Sequence, residues 1–179
     1  MMSTDPTKVE LEFDPQRQKM SGYTMHGNIP FSVPYMTEVA PGLWQGGCTD
    51  GLILPPFIDH VVSLYPWETY QIEHEIKSKL EVWMYDSIDQ SVEEAEDIAD
   101  WVTNLLTNDK GEQVLVHCQA GLNRSSLVVA LTLMRMSKHV AGWPETGEEA
   151  IALIREKRCD ACLCNPAFES YIKLGYVGY

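Results

Sequence analysis

No apolar run in this sequence approaches the roughly 18–20 residues that a membrane-spanning helix needs. The first residues, MMSTDPTKVELEFD, do not set a basic region ahead of an apolar one, so no secretion leader is expected and the expected location is cytoplasmic. Positive charge is scarce: 13 lysines and arginines stand against 26 aspartates and glutamates, a formal net charge of −13. That deficit argues against a broad surface for nucleic acid or anionic lipid, and leaves room for one small positive pocket. An even set of cysteines is missing as well. Cys48, Cys118, Cys159, Cys162 and Cys164 make five, and an odd count without a secretion leader points to free thiols. Internal repeats and low-complexity tracts are absent.

What is present suits one soluble domain. The chain has 179 residues, within the roughly 100–200 of a typical domain. Hydrophobic residues are 45% and charged residues 22%, ordinary for a globular protein. Residues 1–34 carry Pro6, Pro15, Pro30 and Pro34 with little periodicity and read as an extended or loosely packed arm; residues 35–179 read as a single domain. Strands are expected at Leu43–Gln45, Ile58–Leu64, Leu80–Tyr85 and Val114–His117. Glu68–Lys79 is polar and compatible with a helix. Ser91–Glu94 has the form of a capping box, and the apolar positions from Val92 to Leu106 follow a helical face that stops at Asp109–Lys110–Gly111. Further helices are expected over Ser126–Lys138, Gly147–Lys157 and Pro166–Leu174, with Pro166 suited to a first turn. Strands alternating with helices imply an α/β fold with a mostly parallel central sheet flanked by helices.

In such sheets ligands bind beyond the carboxyl ends of the strands. One strand ends inside the stretch VLVHCQAGLNRSSLVV, Val114–Val129. Gln119, Ala120, Gly121, Leu122 and Asn123 form a strand-to-helix loop whose backbone N–H groups, with the positive end of the helix behind them, can hold a phosphate. Gly121 relieves the backbone where positive φ is needed. Arg124, at the start of the helix, can grip two phosphate oxygens with its planar fork. A helix N-terminus and a nearby cation favour the thiolate of Cys118, the nucleophilic form. These residues fit thiolate attack on phosphorus to give a phosphocysteine, followed by attack of water.

His117–Cys118–x5–Arg124–Ser125 resembles the signature of the cysteine-dependent protein tyrosine phosphatases, and its flanks resemble the dual-specificity branch. PGLWQGG (Pro41–Gly47), FIDHVVSLY (Phe57–Tyr65) and NPAF (Asn165–Phe168) are similar to stretches of that branch, so the likeness runs from about Tyr35 to Leu174. The resemblance implies a dual-specificity phosphatase-like fold. It also implies hydrolysis of phosphotyrosine and phosphoserine/threonine in a phosphorylated protein substrate, with no cofactor and no metal. By the same resemblance the general acid is an aspartate after a strand, about thirty residues before the cysteine. Asp86 ends LEVWMYD and fits; Asp89 is the alternative. Ser125 would assist departure of the Cys118 sulfur. His117 would hold the loop without shuttling a proton, and Asn165 would brace the loop or cap the last helix.

Other readings stay open at this point. Gly121–Leu122–Asn123–Arg124 resembles the Gly-x-Asn-Arg of RNA 5′-triphosphatases, although the chain is acidic. Gln119–Asn123 contains no lysine to meet the extra phosphates of a phosphoinositide. The context argues against sulfur transfer or arsenate reduction, and a phosphate-binding module without turnover would be expected to lose Cys118 or Arg124. Cys159, Cys162 and Cys164 allow a zinc site, a thiol pair that exchanges with Cys118, or plain thiols.

Overall fold

The computed structural model describes residues 5–175 apart from 19, 21, 24–26, 68, 69 and 109. Strands β1 (Glu10–Phe13) and β2 (Phe31–Pro34) pair antiparallel in a two-stranded sheet. The central five-stranded sheet contains β3 (Met36–Ala40), β4 (Leu43–Gly46), β5 (His60–Ser63), β6 (Ser78–Glu81) and β7 (Val114–His117), in the order β3-β4-β7-β5-β6. Within this sheet, among the described residues, β3 and β4 pair antiparallel, and β4, β7, β5 and β6 run parallel. The helices are α1 (Val92–Leu106), α2 (Arg124–Met136), α3 (Gly147–Lys157) and α4 (Pro166–Leu174).

Every residue of β4, β5 and β7 is buried, as expected for inner parallel strands covered on both faces. Apolar positions Ala95, Ile98, Ala99 and Val102 turn α1 onto the core, and α1 packs against α2. Helix α2 is buried nearly throughout and also meets α3, α4, β4 and β7. It is therefore the scaffold on which the carboxyl end of β7 rests. Among the described residues no helix is long and apolar enough to cross a membrane.

Several expectations are corrected. The segment expected as a loose arm contains β1 and β2, whose Leu11, Phe13, Phe31 and Val33 are buried in the main core. Alternation of buried and exposed residues in both strands gives this hairpin an apolar face to dock. Strand β3, its edge-strand neighbour in sequence, was not expected.

The helix expected over Glu68–Lys79 has its first two residues outside the described set, and residues 70–79 form none. Their backbone is used elsewhere: Gln71 N–H donates to Leu52 O (2.8 Å), Gln71 O accepts from Leu54 N–H (2.9 Å), and Lys77 N–H donates to Asp59 O (2.8 Å). The strand expected at Leu80–Tyr85 starts two residues earlier and its ladder stops at Glu81, yet the alternation persists, with Met84 buried and Trp83 and Tyr85 exposed. Helix α1 stops at Leu106, before the expected breaker, of which Asp109 lies outside the described residues.

The capping box expected at Ser91–Glu94 does not form. Ser91 occupies the cap position without a side-chain hydrogen bond, and Glu94 accepts from Gln90 instead. A complete box forms at α3, where Thr146 and Glu149 each satisfy the other's backbone N–H. The helix expected at Ser126–Lys138 begins at Arg124 and ends at Met136, so the arginine sits in its first turn.

Candidate active site

Strand β7 delivers Cys118 into a cavity of about 300 Å³. Cys118 and the whole loop Gln119–Asn123 are buried. The carbonyl groups of this loop are tied outward, one after another. Cys118 O accepts from His117 Nδ1 (3.2 Å) and Gln119 O from Cys48 N–H (2.7 Å). Ala120 O accepts from Arg158 (3.2 Å), and Gly121 O from Arg158 Nε (2.8 Å) and Gln45 Nε2 (3.1 Å). Leu122 O accepts from Leu163 N–H (2.7 Å), and Asn123 O from Leu127 N–H (2.9 Å). In a trans peptide the N–H lies opposite the C=O, so carbonyls held outward direct the N–H groups inward. The result is a cradle for an oxyanion at the first turn of α2.

Gly121 has φ +74°, and a Cβ there would lie 2.6 Å from Gly46 O and 2.4 Å from Arg158 Nη2. Both the backbone conformation and the space therefore require glycine. Arg124 is buried. Its Nη1 donates to Met84 O (3.1 Å), its guanidinium carbon stands 5.0 Å from the centre of the Tyr65 ring, and its Nε has no protein partner. A buried charged donor without a partner is costly, and this one belongs to a residue that lines the Cys118 cavity.

Ser125 Oγ is 3.4 Å from Cys118 Sγ and accepts from Gln45 Nε2 at 3.1 Å. As a thiol, Cys118 donates to this oxygen; as a thiolate the sulfur can only accept, and the Ser125 hydroxyl would donate to it instead. His117 joins the strand to the loop. Cys118 O can only accept, so Nδ1 carries the proton and Nε2 accepts from Tyr70 Oη–H at 2.9 Å. Burial pulls the His117 pKa down to about 4, so the ring is neutral at physiological pH.

Asp86 lines the same cavity. Its carboxylate accepts from Tyr23 N–H (2.9 Å), Asn123 Nδ2 (2.9 Å) and Asn165 Nδ2 (2.7 Å). Asp89 is exposed and does not line the cavity. Asn165 bonds both to α4 and to the Gln119–Asn123 loop. Its Oδ1 caps α4 through Ala167 N–H and Phe168 N–H, and its own N–H donates to Asn123 Oδ1 (2.8 Å). Asn123 and Asn165 thus tie the Gln119–Asn123 loop, Asp86 and the start of α4 together.

Four contributors were not legible in the sequence. Arg158, at the end of α3, is buried and reaches Ala120 O, Gly121 O, Gln45 O and Thr37 Oγ1. In REKRCD it looks like one more solvated charge. Gln45 was read as strand, yet its amide reaches Gly121 O, Ser125 Oγ and Ser126 Oγ. Tyr65 faces Arg124. The N-terminal segment forms one wall of the cavity through Met20, Gly22, Tyr23 and Phe31. At Gly22 (φ +126°) a Cβ would lie 2.2 Å from Asp86 Oδ2, so this wall packs directly on the carboxylate.

The three C-terminal cysteines separate into two environments. Cys159 Sγ and Cys162 Sγ lie 3.6 Å apart, whereas Cys164 Sγ is 3.5 Å from Asn123 Nδ2. Among the described residues no group of three or more side chains is arranged to hold a metal ion.

The sequence family "dual specificity phosphatase, catalytic domain" matches residues 57–174. No curated protein sequence matches the chain. Among solved structures, human DUSP28 is 16% identical, with a TM-score of 0.60 over 78% of this chain and 90% of its own. A mouse putative dual specificity phosphatase complexed with zinc tungstate is 20% identical, with a TM-score of 0.60 over 78% of this chain and 84% of its own. The Orf virus tyrosine phosphatase OH1 is 18% identical, with a TM-score of 0.55 over 79% of this chain and 86% of its own. At these identities the likeness is one of fold.

Proposed function

The chain belongs to the family of dual specificity phosphatase catalytic domains, and on that premise we propose that it hydrolyses phosphotyrosine and phosphoserine/threonine in proteins through a phosphocysteine at Cys118. The observation that carries this reading is the run of outward-tied carbonyls from Cys118 to Asn123, which leaves the loop's N–H groups facing the Cys118 cavity.

Phosphate settles into the cradle with its oxygens on those N–H groups and on Arg124, whose unpartnered Nε supplies a further donor. Cys118 Sγ attacks phosphorus as the ester P–O bond breaks. Asp86 gives the leaving oxygen its proton, exchanging its contacts with Asn123 and Asn165 as it does so. Water then attacks the phosphocysteine. Ser125 Oγ–H stabilises the departing thiolate, and phosphate leaves. The exposed rings of Trp67, Trp83 and Tyr85 pack together beside Tyr65 and offer an apolar surface for the polypeptide flanking the phosphorylated residue.

The test is hydrolysis of p-nitrophenyl phosphate and of phosphopeptides without added metal, with acid quenching during turnover. A phosphate-labelled enzyme that disappears in Cys118→Ser is expected. Turnover without a labelled Cys118, or no turnover at all in the wild-type chain, would overturn the reading.

A further inference from the structure

Phosphate hydrolysis leaves Cys159 and Cys162 unused; neither lines the Cys118 cavity. The turn after α3 brings them together, with Cys162 N–H donating to Cys159 O (3.2 Å) and the two sulfurs 3.6 Å apart. They are not equivalent. Cys162 is fully buried, and Cys159 is partly exposed. The hydrogen bond from Cys162 pulls the Cys159 thiol down to about 6 against the effect of burial, helped by the Arg158 charge and by the N–H groups of Ala161 and Cys162. The same hydrogen bond, with burial, pushes Cys162 well up. A partly exposed thiol biased towards the thiolate thus lies 3.6 Å from a buried thiol biased towards its protonated form. Cys164 points elsewhere, at Asn123.

We infer that Cys159 and Cys162 form a redox-active dithiol that a hydroperoxide closes to a disulfide, separately from Cys118. The Cys159 thiolate attacks the terminal oxygen of ROOH. An S–O bond forms, the O–O bond breaks, and the alkoxide leaves as ROH after taking a proton from water. Cys159 is now a sulfenic acid. The Cys162 sulfur attacks the Cys159 sulfur, so an S–S bond forms and the S–O bond breaks. The departing hydroxide takes the Cys162 proton and leaves as water. In sum, one thiolate, one thiol, one hydroperoxide and one proton from solvent give one disulfide, one alcohol and one water. The sulfurs need only move from 3.6 Å to about 2.05 Å.

The site also touches the phosphate loop. Arg158 precedes Cys159, holds Ala120 O and Gly121 O, and carries the charge that faces the Cys159 thiolate. Closing the disulfide removes that negative charge from beside Arg158, so the loop it backs should hold an anion more tightly.

The test uses the full chain carrying Cys118→Ser, so that the nucleophile cannot report. Treatment with a stoichiometric alkyl hydroperoxide at neutral pH should remove two hydrogens from the intact mass, reversibly by dithiothreitol. The same loss is expected with Cys164→Ser added and not with Cys162→Ser added. Inorganic phosphate, titrated against both forms, should bind the oxidised one about twofold tighter or more. No loss of mass in the Cys118→Ser chain, or a loss that survives Cys162→Ser, would overturn the dithiol. Equal or weaker phosphate binding after oxidation would overturn its link to Arg158.

Discussion

Removing the Arg158 guanidinium is the sharpest test of how the phosphate loop is held. All four of its hydrogen-bond acceptors are neutral: Gly121 O at 2.8 Å, Thr37 Oγ1 at 3.1 Å, Ala120 O at 3.2 Å and Gln45 O at 3.4 Å. Arg158→Met keeps the aliphatic bulk and takes a donor from three carbonyls, at about 1–3 kcal/mol for any buried acceptor left with no other partner. Gly121 O keeps Gln45 Nε2, which lowers its share. Returning a buried guanidinium to water recovers several kcal/mol. The balance is a loss of about 3 kcal/mol, a large part of the roughly 5–15 kcal/mol that holds a domain folded. Activity should fall further than stability implies, because the freed peptides no longer direct their N–H groups at phosphate. One misdirected oxyanion donor is worth about 10²–10³-fold in rate. Arg158→Lys restores the charge and should restore little activity, since one ammonium cannot reach both carbonyls. Urea unfolding gives the stability, and p-nitrophenyl phosphate turnover with phosphate inhibition gives the site. An Arg158→Met chain within about 1 kcal/mol of wild type, with kcat/KM within about threefold, would refute this account of Arg158.

Asp86→Asn should lose about 10²–10⁴-fold on alkyl phosphates and far less on p-nitrophenyl phosphate, whose leaving group is already stable as an anion; equal losses on both would make Asp86 structural. Gly22→Ala places a methyl group where Asp86 Oδ2 lies 2.2 Å away. It should displace the N-terminal wall and change KM for phosphopeptides while the fold melts normally; unchanged kinetics would show that the wall does not touch substrate. Acid should destabilise the protein in two stages followed by circular dichroism. His117 is depressed to about 4, so its neutral form supports the fold above its ordinary 6.5, and about 3 kcal/mol is lost as pH falls from there towards 4. Glu112 is held down to about 2 by hydrogen bonds from Lys77, His60 and Asn108, so its contribution is present above the ordinary 4.5 and lost between there and 2. Glu112→Gln should flatten the lower stage alone, and loss of the upper stage instead would contradict the assignment.

The local sequence between Val114 and Met136 determined a good deal. Apolar residues without alternation mark a buried parallel strand, Gly121 marks the one position of the Gln119–Asn123 loop with positive φ, and Cys118 and Arg124 stand six positions apart at the two ends of that short loop. Helices α3 and α4 were equally plain, α3 from its spacing of apolar residues and α4 from Pro166 in its first turn. Short-range patterns of this kind are set by backbone geometry and by contacts a few residues away.

What only tertiary structure decided is the company these residues keep. Asp86 is thirty-seven positions from Asn123 and seventy-nine from Asn165 along the chain, and Arg158 thirty-seven from Gly121. No local pattern encodes such distances. The expected helix over Glu68–Lys79 failed for the same reason, since distant backbone groups at Leu52, Leu54 and Asp59 claimed its hydrogen bonds. A proline-rich N-terminal stretch looked loose because its hydrophobic residues are few and scattered. Pairing β1 with β2 put Leu11, Phe13, Phe31 and Val33 on one face, and burial of that face brought Met20, Gly22, Tyr23 and Phe31 to the lining of the Cys118 cavity. Hydrophobic burial is non-directional, so composition shows that such residues will be covered, and only the folded chain shows which residues they bring with them.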